Sequence, residues 1–361
     1  MQKESIFKRV INFYSGDLKS EDIERLFMKD TPERYKYFVR KMDKPSSESK
    51  SKFSSVTTFI KNFTETFLKK LTPVIRLLYT LAVIIFFLAW IGSSWNLAIL
   101  AFIFVNFLLI FEIAEKLTVR DELEIARDVQ TQLISVSNVD NEDLEISTYY
   151  ETAREVGGDF IDYIQKDNGS YLISIGDISG KGMSAALQMV QVRLLFRFIS
   201  DTLNEPKQIL TLLNKNIFKF ISKGVYFTMR LAEVKDKVLK ICRAGHTHLI
   251  YYSSKNGTCT MINQKGMAVG LCSNGLFESS LEEYILKTDS GDIITFYSDG
   301  LTETMNTVKS EFGIDRLKEI MCSNPEKTPE EIKKIILDEI SKFRGYAEVH
   351  DDITFIIMKI K

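Results

Sequence analysis

Tyr171-Leu172-Ile173-Ser174-Ile175-Gly176-Asp177-Ile178-Ser179-Gly180-Lys181-Gly182 passes from a run of strand character, through a carboxylate, into a glycine-rich turn. The residues after it, Ser184 to Ile199, carry a helical period. A strand that stops at an aspartate before a turn puts that side chain at a sheet edge, where functional groups concentrate. Three other acidic motifs share this setting: Gly157-Gly158-Asp159, Ser298-Asp299-Gly300 and Asp351-Asp352-Ile353-Thr354. Each carboxylate sits at the end of an apolar run, where a strand gives way to a turn, so a folded sheet can bring several to one edge. Hard cations such as Mg²⁺ and Mn²⁺ prefer oxygen ligands of this kind. Together the four motifs read as a divalent-metal site for phosphate hydrolysis.

Around these motifs the pattern from about Leu144 onward does not follow a βαβ repeat. Strands are expected at Glu145 to Tyr150, Asp159 to Gln165 and Tyr171 to Gly176, then helices at Ser184 to Ile199 and Pro206 to Ile221. More strands follow near Tyr226 to Val234, Val238 to Arg243, Leu249 to Tyr252, Thr258 to Ile262, Tyr284 to Lys287 and Asp292 to Tyr297. Helices near Phe312 to Met321 and Pro329 to Phe343 precede a last strand, Ile353 to Lys359. Blocks of strands separated by paired helices predict an α+β layered sandwich, with two antiparallel sheets face to face and helices outside.

Composition narrows the chemistry. The chain has 361 residues, 45% of them hydrophobic, and a formal charge of -1, enough for one full-sized domain with smaller attachments and no signature of bulk nucleic-acid binding. Cys242, Cys259, Cys272 and Cys322 form no CxxC pair, which argues for reduced thiols and against zinc. Only His246, His248 and His350 are available as catalytic histidines, so carboxylates and metal carry the expected chemistry.

The most apolar stretch runs from Pro73 to Ile91 and resumes from Trp95 to Phe111, interrupted by Gly92-Ser93-Ser94. Each arm approaches the ~20 residues needed to cross a hydrocarbon core of about 30 Å. Trp90 and Trp95 flank the uncharged turn as interface anchors, and Lys61, Lys69, Lys70, Arg76, Lys116 and Arg120 lie at the other ends. Residues 71–111 are therefore expected to form a membrane hairpin of a multi-pass cell-membrane protein, with both termini and the catalytic domain cytoplasmic. Before it, residues 1–44 hold three short helical patterns, a docking or sensing module or else a partly ordered tail, and the Ser/Lys-rich residues 45–70 read as a linker. After it, Val119, Leu123, Ala126, Gln130 and Leu133 lie on one stripe of a helical linker over 112–135. That stripe suits either a homodimeric coiled coil or a single helix packed on its own domain.

At residues 119 to 361 the motifs, in order and spacing, resemble the PP2C-like serine/threonine phosphatases of the SpoIIE/RsbU branch. The resemblance is carried by Ala126-Arg127-Asp128-Val129-Gln130, Val156-Gly157-Gly158-Asp159-Phe160, Gly176 to Gly182 with Ala185-Ala186-Leu187, Ala244-Gly245-His246, Ser298-Asp299-Gly300-Leu301-Thr302-Glu303 and Asp351-Asp352-Ile353-Thr354. It implies a PP2C-like α/β/β/α sandwich over 144–361 and two Mn²⁺ or Mg²⁺ ions. Asp177 would bridge both ions, the Ile178 carbonyl would help hold one, and Asp299 and Asp351 the other, with Asp352 as the alternative to Asp351. Asp159 would act mostly through intervening waters. Ions about 3.5 to 4 Å apart would activate water for in-line attack on phosphorus. The resemblance also implies a phosphorylated regulatory partner, an anti-sigma-factor antagonist of the STAS type. Ser184 and Thr247-His248 depart from the usual family pattern without touching an expected ligand.

Two other readings compete. Gly157-Gly158-Asp159-Phe160 could mark a GGDEF-type nucleotide cyclase, although that leaves Asp299 and Asp351 without a role. Alternatively, the chain could be a silent membrane scaffold that binds a phosphoprotein.

Overall fold

The computed structural model describes residues 64–65, 67–69, 71–134, 138–220, 224–272 and 275–361. The expected module over 1–44 and most of the 45–70 linker lie outside these residues. The chain divides into two compact units, Met1–Val119 and Arg120–Lys361.

In the first unit, helix α1 spans Pro73–Ile91, and helix α2 begins at Trp95 and runs to Leu133, past the unit boundary. Pro73 suits the first turn of α1, where its missing N–H costs no bond. Ser93, at φ 56°, turns the chain between the helices, and Ser94 N donates to Ala89 O at 2.8 Å. Ala82, Ala89, Ala98 and Ala101 are buried, and such small residues let two helices approach closely. By contrast, Leu88, Ile91, Leu100 and Ile110 are exposed. Two apolar spans, Pro73–Ile91 and Trp95–Glu115, are long enough to cross a membrane. Only 17% and 22% of their apolar windows are buried, unlike helices in the core of a soluble domain.

The second unit holds eleven strands in two antiparallel sheets among the described residues. The strands are β1 (Val139–Asp140), β2 (Leu144–Glu151), β3 (Asp159–Gln165), β4 (Tyr171–Ile178), β5 (Phe227–Lys235), β6 (Val238–Ala244), β7 (Leu249–Ser253), β8 (Thr258–Ile262), β9 (Glu283–Lys287), β10 (Ile293–Tyr297) and β11 (Ile353–Ile360). One sheet has the order β1-β2-β11-β10-β7-β8 and the other β3-β4-β5-β6-β9. The helices of this unit are α3 (Met183–Thr202), α4 (Pro206–Phe220), α5 (Leu276–Ser280), α6 (Asp299–Thr302), α7 (Ile314–Ser323) and α8 (Pro329–Arg344).

Alternation in β11 shows why its sequence is apolar almost throughout. Ile356, Met358 and Ile360 enter the core shared with the other sheet, whereas Ile353, Phe355 and Ile357 join Leu317, Met321, Ile332 and Ile336 of α7 and α8. Helices α3 and α4 place Met189, Val192, Phe196, Leu210 and Leu213 in the first of these cores. The result is the expected α/β/β/α sandwich. Helix α8 starts at a capping box: Thr328 N donates to Glu331 Oε2 at 2.9 Å, and Glu331 N donates to Thr328 Oγ1 at 3.3 Å.

A buried ion triad ties α3 to its sheet. Asp162 on β3 is fully buried, with Arg193 Nε 3.1 Å and Arg197 Nη2 2.5 Å from its carboxylate. Arg197 Nε adds a second bond at 2.8 Å, making a two-pronged arginine–carboxylate contact.

Candidate metal centre

Antiparallel pairing determines which ends of which strands meet. Asp159 opens β3 and pairs in register with Asp177, one residue before the end of β4. In the other sheet Asp299 follows β10 and Asp351 precedes β11, and these strands pair with Tyr297 opposite Phe355. Two of the carboxylates thus stand at the starts of strands, not after them as the sequence pattern suggested. Neighbouring antiparallel strands require that alternation if their acids are to share one edge. The Ser298-Asp299 segment opens the short helix α6 instead of a simple turn.

Gly157, Gly158, Asp177, Gly180, Lys181, Asp351 and Asp352 line one pocket at this edge. Asp352 is clasped from three sides: Ala153 N and Gly158 N donate to its two oxygens at 2.8 Å each, and Asp159 N approaches at 3.4 Å. Glycine is required on both flanks. A Cβ on Gly157 would fall 2.3 Å from Asp352 Oδ2, and one on Gly300 would fall 2.0 Å from the Asp352 carbonyl. Ser298 Oγ also donates to that carbonyl at 3.2 Å and accepts from Thr354 N at 3.1 Å, stitching the Asp299 segment to the Asp351-Asp352 segment. Asp351 keeps an outward role, with Lys181 Nζ 2.6 Å from its Oδ2. The Ile178 carbonyl faces Gly158, whose Cβ, if present, would lie 3.1 Å from it.

Electrostatics records the crowding. Burial, then Asp177 and Asp352, raise the pKa of Asp159 well above the usual carboxylate range, and the Thr354 and Ser298 hydroxyls counter this only in part. Burial followed by Asp299, Asp351 and Asp352 pushes Asp177 up to about 7. Asp299 touches solvent at the rim, yet desolvation on its protein side and then Asp351 raise it too. Asp352 is raised by burial, and the three amide bonds restrain the shift.

Several observations fit this site to divalent cations. Asp159 Oδ2 is buried without a hydrogen-bond partner among the described residues. Directly opposed like charges destabilise an antiparallel pair unless a counter-charge lies between them. Among the described residues, no three His, Cys, Asp or Glu side chains are gathered tightly enough to enclose an ion by themselves. Mg²⁺ does not need such a cage, because it keeps several waters and takes one or two carboxylates.

Stability should register the same crowding. Asp177 rises from the usual 3.8 to about 7 on folding, so between these values the folded chain holds more protons than the unfolded one. Stability then falls as pH rises through this window, and the loss is complete above about 7. The melting temperature of chelator-treated protein is expected to drop from about pH 5 to about pH 8, with saturating Mn²⁺ flattening the profile. A chelated profile that climbs over this range would contradict the crowding.

One feature escapes sequence reasoning. Gln130, near the end of α2, is buried and makes two hydrogen bonds with the loop before β3: its Nε2 donates to Gly157 O at 2.7 Å and its Oε1 accepts from Gly157 N at 3.1 Å. Its place on the linker stripe was the available signal, but its partner was not. His246, in contrast, is structural. It is buried with Nδ1 2.8 Å from Thr228 Oγ1, and burial beside Arg230 and Arg243 pushes its pKa down to about 3. The Gly-Gly-Asp-Phe run leads into edge strand β3, at the end of the β3-β4 pair away from the hairpin turn, instead of occupying a hairpin tip as a cyclase would require.

The family model for stage II sporulation protein E (SpoIIE) matches residues 167–361. The phosphoserine phosphatase RsbU of Bacillus subtilis (strain 168) is 30% identical over 248 residues, covering 67% of this chain and 71% of that protein. The phosphoserine phosphatase RsbP of the same organism is 26% identical over 256 residues, covering 68% and 59%. Among solved structures, the SiaA-PP2C domain of Pseudomonas aeruginosa superposes with a TM-score of 0.60 at 17% identity, covering 69% of this chain and 99% of that one. The chain therefore belongs to the SpoIIE family of PP2C-like proteins and is a protein-serine/threonine phosphatase.

Proposed function

We propose that this phosphatase depends on two divalent ions, Mn²⁺ or Mg²⁺, and removes phosphate from serine or threonine of a regulatory partner protein. The observation that carries the reading is the meeting of Asp159 and Asp177 from one sheet with Asp299 and Asp351 from the other at a single edge, where burial and then neighbouring carboxylates raise the pKa values of Asp159, Asp177 and Asp299. When bound, the ions supply an activated water and neutralise charge on the phosphoryl oxygens. The chain's own groups do the holding. Asp177 would be shared by both ions; the Ile178 carbonyl would assist at one, and Asp299 and Asp351 would hold the other. Asp159, opposite Asp177 in register, would act mostly through intervening waters. Asp352, with both oxygens on backbone amides, braces the Gly157-Gly158 loop.

The partner is assigned by resemblance to an anti-sigma-factor antagonist of the STAS type. The two apolar helices support a membrane-anchored chain, and the Lys and Arg residues at the outer ends of the pair support cytoplasmic termini and a cytoplasmic catalytic unit. Full-length protein in nanodiscs, given a phosphoserine-bearing STAS-domain protein, is expected to release phosphate with Mn²⁺ and to fall to background in EDTA. Turnover that survives EDTA would contradict the metal dependence. Turnover of small phosphopeptides alone would contradict the partner.

A further inference from the structure

Lys181 lies between two glycines of left-handed backbone, Gly180 at φ 107° and Gly182 at φ 75°. A Cβ on Gly180 would meet nothing within 4 Å, so this side of the loop has room to move. Lys181 nevertheless reaches across 170 residues of sequence to place Nζ 2.6 Å from Asp351 Oδ2 and 3.1 Å from the His350 carbonyl. Asp351 Oδ1 accepts from Asp352 N at 3.1 Å. Both oxygens of the carboxylate are thus engaged, and only the lysine can leave without disturbing the Asp351-Asp352 backbone.

From this geometry we infer that Lys181 is a tethered counter-cation that competes with the divalent ion for Asp351 and so sets how tightly the site loads. The inference rests on the metal-site reading above. An ammonium on a flexible stem suits this role, because it neutralises one carboxylate of a crowded set and solvent takes it up again when an ion of higher charge arrives. The lysine and aspartate side chains are 47% and 36% exposed, so the competition is mild and reversible, not a lock.

Isothermal titration of full-length protein with Mn²⁺ tests this. Lys181→Met, and independently Lys181→Gln, should bind the more weakly held ion about two- to fivefold more tightly, the scale of a half-exposed ion pair. Lys181→Arg, which keeps the cation, should stay near the parent affinity. In an Asp351→Asn background the Lys181→Met change should have no effect. Unchanged or weaker Mn²⁺ binding in both neutral variants would overturn the inference while leaving the metal site standing. No Mn²⁺ uptake by the parent protein would overturn both.

Discussion

Asp177→Asn is expected to lower phosphatase turnover by about 10³-fold or more while leaving the fold intact. Asp177 stands opposite Asp159 in register, and Asp299, Asp351 and Asp352 all act on its charge. Asp159 is coupled to Asp177 and Asp352, whereas Asp177 is coupled to Asp299, Asp351 and Asp352 together. Uncatalysed hydrolysis of a phosphate monoester is so slow that most of the acceleration must come from preorganised charge. An amide in this position keeps the shape but loses the charge. Stability should move in the opposite direction. Because burial and repulsion disfavour the ionised carboxylate, the chelated variant should melt no lower than the parent near pH 8. Turnover of p-nitrophenyl phosphate and of a phosphopeptide, measured beside melting curves, checks both halves. A rate near that of the parent would refute the assignment.

Asp162→Ala is expected to do the reverse, unfolding the domain more readily through a residue that is not among the candidate ligands. Removing this carboxylate takes from Arg193, whose side chain is 8% exposed, the ion-pair partner 3.1 Å from its Nε. Breaking a buried pair from one side costs about 3 to 5 kcal/mol. For a domain of this size that corresponds to a fall of about 6 to 20 °C in Tm. Arg197, at 43% exposure, can turn its charge to solvent and adds less. Thermal unfolding of the metal-free protein measures the effect, and a change under about 1 kcal/mol would mean that the triad contributes little beyond solvated pairs.

Much of this architecture is legible before folding, for identifiable reasons. Strands such as Asp159–Gln165 and Thr258–Ile262 are bounded by turn residues such as Gly158, Asn168-Gly169 and Asn256-Gly257, so their limits coincide with expectation. The hairpin helices are long and apolar enough to be unmistakable. Two-residue β1 lies below the length at which a period can be read, and α6 hides behind Asp299-Gly300, a dipeptide that usually signals a turn. Three of the four acidic motifs stand out because glycines accompany them. Their division of labour does not, because it depends on contacts between residues far apart in sequence. Asp351 and Asp352 are chemically identical neighbours, and only the amides of Ala153, Gly158 and Asp159 separate one as a brace from the other. Likewise, nothing local to Asp162 announces two arginines more than 30 residues away.

The most direct test is a crystal of the catalytic unit grown with Mn²⁺ and measured at the manganese absorption edge. Two anomalous peaks about 3.5 to 4 Å apart, both against Asp177 and one also against Asp299 and Asp351, are the expected result. A single peak away from Asp177, or none at this edge at saturating Mn²⁺, would contradict the central claim that the four acids converge to hold a pair of cations.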